Sequence, residues 1–134
     1  MKLNIMDIGG VVAKQDDRYT VKDNTTLKNL VLSSTELNPK MQTTGHAHPG
    51  QEEVYFFTEG SGKMELIDTN GKHHDQNVNA GDVILIPDGW FHRVYAGPHG
   101  IYFVCVFDGK RHDATIGTTD NDPDNYVGGV ESFR

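Results

Sequence analysis

Four side chains in this sequence have the types and spacing to do metal chemistry. His46 and His48 stand two residues apart, Glu53 follows, and His92 lies some forty residues further on. Successive side chains on an extended strand alternate faces, so His46 and His48 can point at the same interior spot. Glu53 and Tyr55 repeat that geometry on the following segment. Three imidazoles and a carboxylate converging on one point would suit iron(II), manganese, nickel or zinc, with positions left for water or substrate. Each of these residues sits near a Gly or Pro that shapes a turn: Gly45, Pro49-Gly50, Gly60 and Gly62, then Gly81, Pro87 and Gly89 before His92.

The elements that must position these residues read as strands. Residues 27–37 alternate loosely as LKNLVLSSTEL, and Asn38-Pro39 marks a turn. Residues 41–48 form the next extended segment. A strand is expected over residues 53–58, a turn over 59–62, and a return strand over 63–68. Asn70-Gly71 is a two-residue hairpin signal of the type that needs positive φ at both positions. Residues 73–78 read as a polar strand, VILI as an apolar one, and 91–95 as its continuation after Pro87-Asp88-Gly89. A turn over 96–100 then leads to the apolar run IYFVCVF. Residues 1–27 look like edge strands and loops, and the loop-rich tail from 108 to 134 is expected either to pack over the barrel or a neighbour or to be partly disordered. Short strands at regular spacing with turns between them predict an all-β barrel or double sheet in one domain spanning residues 1–134.

Composition narrows the function classes. The chain has 134 residues, 12 basic against 19 acidic side chains, and a formal net charge of −7. Such a surface repels phosphodiester backbones, which excludes nucleic acid as an expected partner. The single cysteine, Cys105, lies in an apolar run, so no disulfide can form within the chain and a buried, inert thiol is expected. No stretch approaches the roughly 18 apolar residues of a membrane span, and residues 1–10 carry no signal-peptide pattern, so the expected location is the cytoplasm. His73, His74 and His99 lie in or beside turns and are expected at the surface; residue context alone gives His112 the same reading.

The spacing of these residues resembles the motifs of the cupin superfamily. His46, His48, Glu53 and Gly60 match its first motif, and Gly81, Pro87, Gly89 and His92 match its second; Ala96 stands where the second motif usually closes in Asn. The motifs fall within residues 43–96, and the resemblance implies a jelly-roll barrel, often a homodimer. A narrower likeness is to the cupin-type glucose-6-phosphate isomerases of archaea. It is carried by Thr43, Gly45, His46, His48, Glu53, Tyr55, Gly60, Gly62 and Met64, by His92-Arg93, and by His112-Asp113 with Thr115-Ile116. The likeness implies Glu53 as both ligand and base, Tyr55 lining the pocket, and Thr43, Gly45 and His112 holding the phosphate of a sugar phosphate. The loop from His48 to Glu53 is shorter than in that family, Phe107 replaces a Tyr, and only 45 residues precede His46. Two other classes share the same ligands: an iron(II) dioxygenase, and a non-catalytic cupin that binds a sugar or small acid.

Overall fold

A computed structural model of the chain describes residues 1–109. It contains seven strands: β1 (Val11–Gln15), β2 (Tyr19–Asn24), β3 (Leu30–Leu37), β4 (Glu53–Ile67), β5 (Gln76–Asn79), β6 (Val83–Ile86) and β7 (Phe91–Asp108). All pair antiparallel, in the order β1-β2-β3-β7-β4-β5, with β6 on the other edge of the first half of β4. The fold is all-β, as the strand spacing predicts. Among the described residues no helix is long and apolar enough to cross a membrane.

Two long strands organise the molecule. The first half of β4 pairs with the second half of β7, and the second half of β4 with the first half of β7. Both strands bend at one place, so that Tyr55, Phe57 and Phe103 from one half share a core with Met64, Leu66 and Val94 from the other. The bend is glycine chemistry. Gly60 has φ of 82°, and a Cβ there would lie 2.2 Å from the Gly100 carbonyl oxygen; a Cβ on Gly62 would lie 2.1 Å from that of Tyr95. Only residues without a side chain let the two backbones come so close.

This corrects two sequence expectations. Residues 59–62 do not reverse the chain, because the backbone of β7 carries β4 straight through them as a bulge. Residues 96–100 likewise stay within β7, with the register skipping from Ala96 to Ile101 opposite Gly62 and Gly60. The hairpin at Asn70-Gly71 also differs in kind. Gly71 alone has positive φ, at 85°. The Asp68 carboxylate accepts from the backbone N–H groups of Asn70 and Lys72 at 2.8 and 2.9 Å, which fixes the turn from inside. Near the N-terminus, β2 is no loose edge: Tyr19 and Val21 are fully buried core residues.

Buried positions of β4 alternate with more exposed ones, while β3 and the second half of β7 are buried over runs of three successive residues. Tyr55 stacks on Phe103 at 5.0 Å and Phe103 tilts against Phe57 at 5.4 Å. Such pairs add about 0.5–1.5 kcal/mol each beyond their buried area. Cys105 is fully buried in the same cluster, as expected of an inert thiol.

Candidate metal centre

The four residues singled out by spacing meet in the interior. Residues 41–48 do not form a regular strand; instead they run along β7 through isolated bridges, Gln42 to Tyr95 and His46 to His92. His46 and His92 exchange both backbone hydrogen bonds, at 3.1 and 2.8 Å. Directly opposed residues project their side chains to the same face, and the two rings lie 5.9 Å apart. His48, two residues on, stacks its ring on His46 at 5.4 Å. Glu53 enters from the start of β4, where it is paired with Ile86 on one side and Phe107 on the other. All four residues are only 3–4% exposed.

The loop from His48 to Glu53 is held at both ends. The Gln51 N–H donates to the His48 carbonyl at 3.1 Å, closing the turn at Pro49-Gly50. The Gly50 N–H donates to the Asp88 carboxylate, which ties this loop to the turn just before His92. Sequence reasoning missed Asp88; the Pro-Asp-Gly turn was visible, its cross-link to residue 50 was not.

His92 and Glu53 define the chemistry. His92 Nδ1 lies 3.3 Å from the Trp90 carbonyl oxygen, which can only accept, so the proton belongs on Nδ1. The opposite nitrogen, Nε2, faces Glu53 Oε2 at 3.0 Å. A lone pair against a carboxylate is repulsive, so the pair demands a proton on Nε2 or a cation shared between the two atoms. The second carboxylate oxygen, Glu53 Oε1, is buried and receives no hydrogen bond from any described residue. A buried anionic group in that state calls for positive charge. The donor set therefore fits a divalent transition metal. Among the described residues no three of these side chains already stand in a coordinating array; His46, His48, Glu53 and His92 are the residues that would hold the ion.

The remaining predicted residues take other places. Tyr55 is 2% exposed, with its ring edge-on to His92 at 5.8 Å, so it forms the wall behind the centre. The Thr43 hydroxyl accepts from the Val94 N–H at 3.0 Å and is buried. Gly45 lies under Phe91 and Arg93: a Cβ there would fall 2.2 Å from the Phe91 ring. Both residues hold the bridge segment against β7. His112 lies outside the described residues. A surface recess of about 200 Å³ beside Glu36, Glu59 and His99 contains none of the four candidate ligands.

The turn histidines are not equivalent. His73 is exposed, near Asp75 at 3.5 Å. His74 is a correction: it is half-buried, stacks on Trp90 at 4.6 Å, and bonds Asp68 at 2.9 Å. A residue sixteen positions away in sequence provides that stack, so the local turn signal could not reveal it.

Comparison with known proteins places these features in a family. A family model described as cupin matches residues 4–123. Oxalate decarboxylase of Bacillus subtilis is 29% identical over 89 residues, 66% of this chain and 23% of the relative. A probable germin-like protein of Arabidopsis thaliana is 33% identical over 63 residues, 47% of this chain and 30% of the relative. Among solved structures, an oxalate decarboxylase from Lactobacillus farciminis in complex with formate superposes with TM-score 0.69 at 21% identity, covering 79% of this chain and 32% of the other. A structure of the B. subtilis enzyme, solved in a study of its Mn(II) centres, gives a TM-score of 0.66 at 24% identity over 71% of this chain and 26% of that one. The chain thus spans about a quarter to a third of the length of these relatives.

Proposed function

This chain belongs to the cupin family, and we propose that it is a single cupin unit holding one divalent transition metal on His46, His48, Glu53 and His92 to act on a small oxygen-rich molecule. The observation that carries this reading is the 3.0 Å approach of Glu53 Oε2 to His92 Nε2 in a fully buried setting, on a histidine whose other nitrogen is committed to the Trp90 carbonyl. The Mn(II) centres named for the Bacillus relative support manganese as the first ion to test.

A metal bound there would polarise a substrate oxygen as a Lewis acid. The protein's own residues supply the rest. Glu53 Oε1 is the atom able to take a proton from a carbon next to a carbonyl and return it to the neighbouring carbon. His92 is fixed by Trp90 and by the bridge to His46, so the proton-accepting carboxylate keeps its position. The ring of Tyr55 and its stack on Phe103 close the wall and exclude water from that side.

The finer reading is aldose–ketose isomerisation of a sugar phosphate, which needs this proton shuttle. Its support is the motif likeness at Glu53, Tyr55 and His92-Arg93. Thr43 and Gly45, assigned to the phosphate by that likeness, also pack the bridge segment against β7; the Thr43 hydroxyl accepts from Val94 and keeps its own O–H to donate to a phosphate. A second reading is favoured by the oxalate decarboxylase relatives: a small dicarboxylate held at the same centre. The homodimer implied by the resemblance belongs to the same proposal, and sedimentation velocity tests it. Element analysis of protein purified without chelator is the deciding experiment for the centre, followed by turnover assays with sugar phosphates and with oxalate. Near-stoichiometric metal is expected; a metal-free protein that takes up none of manganese, iron, nickel or zinc ends the proposal.

A further inference from the structure

Gln51 is buried two residues before Glu53, and half of its side chain has no partner among the described residues. Exposure runs buried, exposed, buried over Gln51, Glu52 and Glu53, and the Gln51 N–H donates to the carbonyl of His48 at 3.1 Å, so Gln51 is buried on the short loop between two of the candidate ligands. Gln51 is 3% exposed. Its Nε2 lies 3.4 Å from the Glu52 carbonyl oxygen. A backbone carbonyl only accepts, so the amino end of the carboxamide belongs on that side and the oxygen on the other. That oxygen, Oε1, is fully buried and receives no hydrogen bond from any described residue. Glu53 Oε1 is in the same state. Two buried acceptors so close along the chain are costly unless a donor enters, and an apolar side chain at position 51 would avoid the cost there.

We propose that Gln51 is a specificity-determining residue whose Oε1 accepts a hydrogen bond from a hydroxyl of the small molecule held at the metal centre. The class of ligand follows. A hydroxyl next to a carboxylate or carbonyl can reach the metal through its oxygen and still give its proton to Gln51. A carboxylate or phosphate oxygen in that place would set acceptor against acceptor. The centre therefore selects α-hydroxy acids and hydroxy-carbonyl compounds over bare carboxylates. The inference rests on the metal-centre reading and adds the ligand class to it.

The test compares probes that differ in this one proton. Manganese content of the wild type is measured first, because a protein that binds none overturns the centre and this inference together. Calorimetric titration of the manganese-loaded protein then compares glycolate with acetate in wild type and in Gln51→Met, which keeps length and removes the acceptor. One hydrogen bond corresponds to roughly a 2- to 13-fold change in affinity, so the glycolate-to-acetate ratio is expected to fall by about that factor. Manganese and acetate affinities stay constant. An unchanged ratio at full manganese occupancy overturns the inference and leaves the centre standing. Should Gln51→Met fail to fold, methoxyacetate on the wild type decides. It keeps the oxygen and lacks the proton, so binding as tight as glycolate overturns the role of Gln51.

Discussion

Among the described residues, one histidine–carboxylate cluster lies inside the molecule and another at its surface, and the same residue types behave differently in each. The inner one, His46, His48, His92 and Glu53, is 3–4% exposed and lies against an aromatic wall. The outer one, His73 and His74 with Asp68 and Asp75, sits at the hairpin after β4, where the two histidine side chains are 57% and 33% exposed. In the outer cluster each acceptor is already served. Asp68 takes two backbone N–H groups and His74, and Asp75 takes the Leu66 N–H and lies beside His73 and Lys63. In the inner cluster one carboxylate oxygen is left without a donor among the described residues. Saturated outer carboxylates fasten a turn; an unsaturated buried one calls for a ligand. Burial and unmet acceptors, rather than the number of histidines, mark the chemical site.

The contrast can be broken from the strongest side first. Phe103→Ala removes the ring that backs Tyr55 and Phe57, and with it the wall of the inner cluster. Loss of a buried phenyl group costs about 3–5 kcal/mol, which urea unfolding will register as a lowered midpoint with an unchanged slope. Next in size is His92→Ala. Substituting even residues that only support metal ligands costs about 10–100-fold in affinity; removal of a ligand should exceed that in metal titrations. His74→Ala, by contrast, should leave metal affinity untouched. Equal losses in the two variants would end the distinction between the clusters. A third test targets the bend that brings both halves of β4 and β7 around one core. Gly60→Ala places a methyl group against the Gly100 carbonyl and forces an L-residue to φ of 82°. The conformational term alone is about 1–2 kcal/mol, so a lower melting temperature is expected, with metal binding retained in the folded fraction.

Much of the inner cluster was legible because β-strand alternation is a local rule. His-x-His puts two rings on one face wherever the chain is extended, and the Gly and Pro around Glu53 and His92 mark where it turns. What escaped was decided by backbones meeting across the fold. Gly60 and Gly62 look like a hairpin in isolation, yet their purpose is the close pass under Gly100 and Tyr95. Thr43 and Gly45 carry a motif signature, and the structure adds packing roles that the signature did not reveal: one receives the Val94 N–H and the other admits the Phe91 ring. His74 looked solvated because its partner, Trp90, comes from the other side of two strands. The local signals survive where a single strand decides the outcome and fail where two segments share it.

The smallest expected effect concerns the outer cluster and acid. Hydrogen bonding from His74, followed by the Lys72 N–H, holds the Asp68 carboxyl below its ordinary value of 3.8. The Leu66 N–H, with His73 and Lys63 adding, does the same for Asp75. A carboxyl whose folded-state pKa is depressed contributes its full stabilisation above the unfolded value. The contribution is lost as pH falls below about 3.8 towards the lowered folded value, because the unfolded chain takes up the proton first. Thermal melts of metal-free protein between pH 5 and pH 2 should therefore show a downward slope that is shallower in Asp68→Asn. Exposure keeps the difference small, and manganese uptake at neutral pH should match the wild type. A slope identical in the two proteins would mean that the His74 contact does not fasten the turn in solution. A loss of metal in Asp68→Asn would mean that the outer cluster communicates with the inner one through Trp90, whose carbonyl holds His92.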